Sequence, residues 1–193
     1  DLSGKDLSGT TLVQANLSET NLSGVDLTGS NLKGAKQIGI YIKELRDFSE
    51  VTSFDLSGNV HYLATKKGIL YELKNGKAKI VVNMTNKIHT VGEGGLLSVV
   101  SNKKFVYISY TIKDHLVVDE YSKKFNKVRN IIKIERFNQV HFGGNLLFDN
   151  HGKLYLSVGD GYRSDEAQNL NSLKGKILRL DVSKLKLEPE IIA

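Results

Sequence analysis

The chain contains no cysteine, which excludes disulfides, thiolate metal sites and cysteine nucleophiles. It has no apolar run approaching the roughly 18 residues that a membrane-spanning helix requires. A basic helix and an aromatic stacking platform are missing too: the net charge of +6 comes from lysines scattered among acids and turn positions, as at Lys123-Lys124 and Lys184-Leu185-Lys186. Residues 1–35 carry −2 and the remainder +8, so no nucleic-acid partner is expected. What remains is 193 residues, 40% hydrophobic and 25% charged, enough to bury a core in a globular protein. The first residue is Asp1, already inside a repeat, so the natural N-terminus and any secretion signal are expected upstream.

Leucine recurs at positions 2, 7, 12, 17, 22, 27 and 32, with Asp, Asn or Thr before each. A period of five fits neither a helix nor a strand, whereas a coil that turns a corner every five residues places each leucine inside. The segment resembles a pentapeptide repeat. That resemblance implies a short right-handed β-helix over residues 1–35, four repeats to a turn, with small inner residues at Thr10, Ala15, Thr20, Val25 and Ser30. It also implies a spacer or a surface for a protein partner.

The five-residue period ends at a connector, residues 36–47, with apolar Ile38, Ile40, Ile42 and Leu45. From 48 to 193 the pattern becomes short strands separated by Gly, Asn, Asp and Lys turns, with no helix of useful length. Strands are expected at 51–54, 60–65, 68–73 and 77–84, then at 95–101, 105–112, 116–122 and 128–135, then at 143–148, 154–158 and 176–181, the last group being unfinished at Ala193. Phe54-Asp55-Leu56-Ser57-Gly58-Asn59-Val60 also matches Phe148-Asp149-Asn150-His151-Gly152-Lys153-Leu154 at a separation of 94, twice 47. A repeat of about 45 residues with four strands is the signature of propeller blades, and small propellers need at least four to close. The expected fold is therefore all-β: about three blades of a partial six-bladed β-propeller behind the pentapeptide segment, a fragment of a longer protein.

Propeller topology would bring Glu93 and His141, 48 residues apart, together at the axial mouth beside the 159–174 loop. His141 stands in Val140-His141-Phe142-Gly143-Gly144-Asn145-Leu146-Leu147-Phe148-Asp149, followed by Gly152-Lys153-Leu154-Tyr155-Leu156-Ser157-Val158-Gly159-Asp160. That stretch, with Gly92-Glu93-Gly94-Gly95, Ala167-Gln168-Asn169-Leu170 and Leu173-Lys174-Gly175-Lys176-Ile177-Leu178-Arg179-Leu180-Asp181, resembles the soluble quinoprotein glucose/sorbosone dehydrogenases. The resemblance implies an enzyme that oxidises an aldose at C1, with His141 as general base and Glu93 near substrate and quinone. It further implies pyrroloquinoline quinone and calcium, held by residues mostly beyond this chain, an external electron acceptor, and an extracellular or periplasmic location.

Two departures stand out. The residue before the histidine is usually Asp or Asn and here is Val140, and the one after it, often polar, is Phe142. An apolar pair around the base should weaken recognition of a hydroxyl-rich sugar. They support the rival reading, a non-catalytic β-propeller or solenoid that binds a glycan or protein.

Other candidates carry less chemistry. Asp160-Gly161-Tyr162-Arg163-Ser164-Asp165-Glu166 has the acidic spacing of a calcium loop without its ligand series or flanking helices, and reads as a turn. Gly92-Glu93-Gly94-Gly95 lacks the Lys-Ser/Thr of a phosphate loop, and His61, His89, His115 and His151 lack metal-ligand spacing.

Overall fold

A five-residue period should give each repeat two positions that escape solvent, and the burial of the first 35 residues follows that rule. In the structure, a computed structural model, residues 2, 4–17, 20, 25–33, 35–37, 48–56, 60–74, 77–135 and 138–192 are described. Leu17 is buried, while Leu2, Leu7, Leu12, Leu27 and Leu32 are half-buried; so are Thr10, Ala15, Thr20, Val25 and Ser30. Leu22 lies outside the described residues. Successive passes of the chain meet in parallel at an offset of 20 residues: β1 (Asn16–Leu17) pairs with β2 (Lys36–Gln37), and bridges join Asp6 to Asp26 and Thr11 to Asn31. Asp or Asn precedes the leucine because its side chain closes the corner. Asp6, Asp26 and Asn31 each accept the backbone N–H two residues on, from Ser8, Thr28 and Lys33. Leu17→Ala removes a side chain that is buried among the described residues of this unit and is expected to cost about 2–4 kcal/mol. Urea unfolding of the whole chain should show that loss in a transition of residues 1–47, one of the chain's two compact units.

The second unit is built from three antiparallel sheets of four strands. The first holds β3 (Val51–Asp55), β4 (His61–Thr65), β5 (Ile69–Lys74) and β6 (Lys77–Asn83). The second holds β7 (Leu96–Ser101), β8 (Phe105–Ile112), β9 (His115–Ser122) and β10 (Lys127–Glu135). The third holds β11 (Gly143–Phe148), β12 (Leu154–Val158), β13 (Lys176–Leu180) and β14 (Glu190–Ile191), with the short helix α1 (Ser164–Gln168) between β12 and β13. The strands agree with the periodicity to within a residue or two, and β14 completes the sheet that the pattern left open.

The expected propeller is corrected by this arrangement. The three four-stranded sheets are separate and neither curl nor close into a propeller, since three such groups cannot close a ring. In the first unit the described residues show one two-residue parallel pair and two isolated parallel bridges, all at the 20-residue offset of a four-repeat turn. The internal match also slips in register. Phe54 pairs with Leu63 whereas Phe148 pairs with Leu154, so the first hairpin is the longer, and Phe54 is exposed while Phe148 packs on the core.

Strands of neighbouring sheets meet through hydroxyl groups instead of a backbone ladder. Thr52 Oγ1 donates to the Leu96 carbonyl at 2.7 Å, Ser53 Oγ accepts from Val99 N–H, Ser98 Oγ accepts from Leu146 N–H, and Ser109 Oγ donates to the Gly144 carbonyl. These bonds fix the starts of β7 and β11, the strands that the two candidate residues precede.

The middle sheet is covered on both faces, which is why β8 and β9 read as nearly continuous apolar runs. Val106, Ile108, Tyr110, Val117 and Tyr121 pack with Tyr62, Leu70 and Met84 on one side; Tyr107, Leu116 and Val118 pack with Leu154, Leu156 and Leu178 on the other. Among the described residues no helix is long and apolar enough to cross a membrane.

Candidate active site

The pairing of β11 with β12 builds the site. The register aligns Gly143 with Val158, and carried two residues past that pair it sets His141 opposite Asp160. Backbone bonds continue the ladder, from Gly159 N–H to the Phe142 carbonyl and from Gly161 N–H to the His141 carbonyl. Only glycine fits at 159, since a Cβ there would run into the His141 carbonyl oxygen. His141 adopts φ +55°, a left-handed conformation that is costly for a side chain of its size. The kink sends Phe142 into the core and leaves the imidazole 48% exposed. Phe142 is therefore a buried core residue and not an exposed apolar neighbour of the base, which removes half of the argument against a polar substrate; Val140 is half-buried.

His141 Nδ1 lies 2.9 Å from Asp160 Oδ1. The bond to His141, joined by one from Tyr162 N–H, holds the Asp160 carboxyl below the ordinary aspartate range. An ionised carboxylate can only accept, so Nδ1 carries the proton and the Nε2 lone pair is left open. Among the described residues, Nε2 has no hydrogen-bond partner. Glu93 meets the same residue from the other side, its Oε2 accepting His141 N–H at 2.6 Å. The Glu93 loop is tied back by Glu93 N–H to the Gln139 carbonyl and by Lys66 Nζ to the Gly92 carbonyl at 2.9 Å. A crevice of 20 Å³, room for one water, is lined by His141 together with Glu135, Phe142, Gly159, Gly161 and Lys174 among others.

The structure thus brings together the two residues singled out from the sequence and adds Asp160, which sequence reasoning set aside as a turn. The available signal was the hairpin register, since a strand-end Asp-Gly opposite a strand-start histidine is a pairing that neither motif shows alone. His61, His89, His115 and His151 lie elsewhere, and among the described residues no group of three or more His, Cys, Asp or Glu could hold a metal ion.

A further expectation concerns acid. Because the folded Asp160 titrates below its ordinary value of 3.8, its contribution to stability is fully present above that value and is lost as pH falls through the lower, folded one. Carboxyl-carbon NMR should find the Asp160 midpoint depressed, and in His141→Ala it should move up. An unchanged midpoint would show that the pair does not hold.

Comparison with known proteins decides the family. The profile described as glucose/sorbosone dehydrogenase matches residues 52–184. The chain belongs to the glucose/sorbosone dehydrogenase family. The profile described as pentapeptide repeats (8 copies) matches residues 1–36. An aldose sugar dehydrogenase of Escherichia coli is 33% identical over 108 residues, covering 46% of this chain and 29% of that protein. Human Hedgehog-interacting protein is 32% identical over 117 residues, covering 47% of this chain and 17% of its own length. Among solved structures, a glucose dehydrogenase-type oxidoreductase of Thermus thermophilus shares the fold with a TM-score of 0.61 and 25% identity, over 67% of this chain and 43% of that one. The PQQ-bound aldose sugar dehydrogenase of Streptomyces coelicolor shares the fold alone, with a TM-score of 0.59 and 21% identity over 69% of this chain and 45% of that one. The chain spans less than half the length of these relatives.

Proposed function

We propose that the protein of which this chain is part oxidises an aldose at C1, with His141 as the general base. The carrying observation is the imidazole whose Nδ1 is engaged by Asp160 while Nε2 opens toward solvent. Nε2 takes the proton of the C1 hydroxyl as the C1–H bond gives up a hydride, leaving the lactone. Asp160 fixes the tautomer and stabilises the imidazolium that forms. Glu93 holds the His141 backbone through Oε2, and its exposed carboxylate stands ready for a sugar hydroxyl.

Pyrroloquinoline quinone, when bound, supplies the hydride acceptor that no amino-acid side chain can provide. The described residues fit one edge of such a site, an open imidazole nitrogen flanked by the carboxylates of Asp160 and Glu93. For calcium the described residues offer no cluster of three or more His, Cys, Asp or Glu side chains. Two electrons then pass to an external acceptor, which suits an extracellular or periplasmic enzyme.

The test is reconstitution of the full-length protein with quinone and calcium, followed by assay of aldoses for lactone and for reduction of an artificial acceptor. Turnover of an aldose is expected; binding without turnover would overturn the reading. That second outcome is the rival, a protein- or glycan-binding module. The likeness to Hedgehog-interacting protein favours it, and the pentapeptide unit offers a surface for such a partner.

A further inference from the structure

We infer that Tyr162 is the platform on which the substrate's ring lies beside His141, selecting cyclic sugars with an exposed C–H face over open-chain polyols. The inference rests on the dehydrogenase reading and adds to it a residue that determines specificity. Among the described residues, five without a glycine's freedom adopt positive φ, and two of them, His141 at +55° and Tyr162 at +67°, meet at this site. A bulky aromatic side chain in that conformation is a backbone outlier that surrounding bonds must hold in place. Here the Tyr162 N–H is held by Asp160 Oδ1 at 2.9 Å, the oxygen that also engages His141 Nδ1, and the preceding Gly161 N–H is held by the His141 carbonyl.

The conformation carries the phenol ring outward, where it gains no core. Tyr162 is 71% exposed, and its ring centroid lies 5.2 Å from that of His141 at an interplanar angle of 57°. An aromatic face held open at this distance from the base suits a ligand with an apolar face and a polar rim. A pyranose has both: axial C–H bonds on each side for the electron-rich ring face, hydroxyls around the edge for Glu93 and Nε2. The shared Asp160 oxygen couples the two roles, since one carboxylate sets the orientation of both the base and the platform.

The experiment uses the full-length protein and methyl β-D-glucopyranoside, whose blocked C1 hydroxyl permits binding without oxidation. Saturation-transfer NMR should show transfer concentrated on the ring protons of one face. Tyr162→Ala and Tyr162→Gly should abolish that selectivity and raise KM for the oxidisable aldose about tenfold, the scale of one lost aromatic contact, with kcat little changed. Tyr162→Phe should retain both. Glycine is at home at this φ, so the Tyr162→Gly protein should melt no lower than the parent, which separates recognition from folding. Unchanged saturation and KM in the alanine and glycine variants would overturn the inference. A glycoside that binds without facial selectivity in the parent would do the same. The binding arm needs no turnover, so a His141→Ala protein that still oxidised sugar would defeat the general-base reading and leave the Tyr162 result standing.

Discussion

Turnover of the reconstituted full-length enzyme is expected to fall by about 100-fold or more when His141 is replaced by alanine, since a positioned general base is typically worth 10² to 10⁴. Quinone affinity should change little, because the proposed roles of His141, accepting the hydroxyl proton through Nε2 and meeting Asp160 through Nδ1, do not hold the quinone. His141→Ala removes the ring but keeps the strained backbone, whose N–H remains held by Glu93 and whose carbonyl remains held by Gly161. The loss should therefore appear in kcat more than in KM. Asp160→Asn provides the graded control. An amide at 160 can donate to Nδ1 and stabilise the tautomer that protonates Nε2, which closes the lone pair needed for the reaction. Its kcat should drop as well, while exogenous imidazole restores activity to the His141→Ala protein only. Unchanged turnover in His141→Ala would end the assignment.

Much of this was legible before any coordinates. Runs such as Phe105-Val106-Tyr107-Ile108-Ser109-Tyr110 announce strands, and the turn residues between runs mark their ends to within a residue or two. Glu93 and His141 could be brought together because both precede the first strand of a sheet, one repeat apart. Asp160 could not, since its partner is set by the β11–β12 register and not by any spacing along the chain. The relation between sheets is hidden from the sequence for a related reason. Periodicity reports how many strands a group has and which face each side chain takes, but whether the groups close on one another depends on packing between sheets that no local pattern encodes. The role of Phe142 was hidden in the same way, because alternation from Gly143 backwards cannot foresee a left-handed residue at 141 that turns its neighbour inward.

The buried acids of β9 were the other feature the sequence concealed, and they carry the largest stability effect expected here. Asp119-Glu120 looks like the solvated end of a strand, yet both side chains are sealed in the middle sheet. They point to opposite faces and each is answered locally. Asp119 accepts from Tyr110 Oη at 2.7 Å, from Asn130 Nδ2 at 2.9 Å and from Lys127 Nζ at 2.6 Å. Glu120 is gripped in a fork by Arg129, through Nε at 3.3 Å and Nη2 at 3.1 Å. Burial, reinforced by these carboxylates, pushes the Tyr107 and Tyr110 hydroxyls well above the ordinary tyrosine range, so both remain donors. Arg129 reaches further, donating to the carbonyls of Val182 and Lys184 just past β13, and so ties the third sheet to the second.

Arg129→Ala should cost about 3–5 kcal/mol, the penalty for leaving a buried carboxylate without its partner. Urea unfolding of residues 48–193 measures it. Arg129→Lys should recover only part, because an ammonium cannot fork onto two carboxylate oxygens and still reach both carbonyls. Adding Glu120→Gln to Arg129→Ala removes the stranded charge and should return a good share of the loss, leaving mainly the deficit of the two unmet carbonyls. If the double variant were as unstable as Arg129→Ala, the cost would lie in the lost tie to Val182 and Lys184 and not in the buried charge.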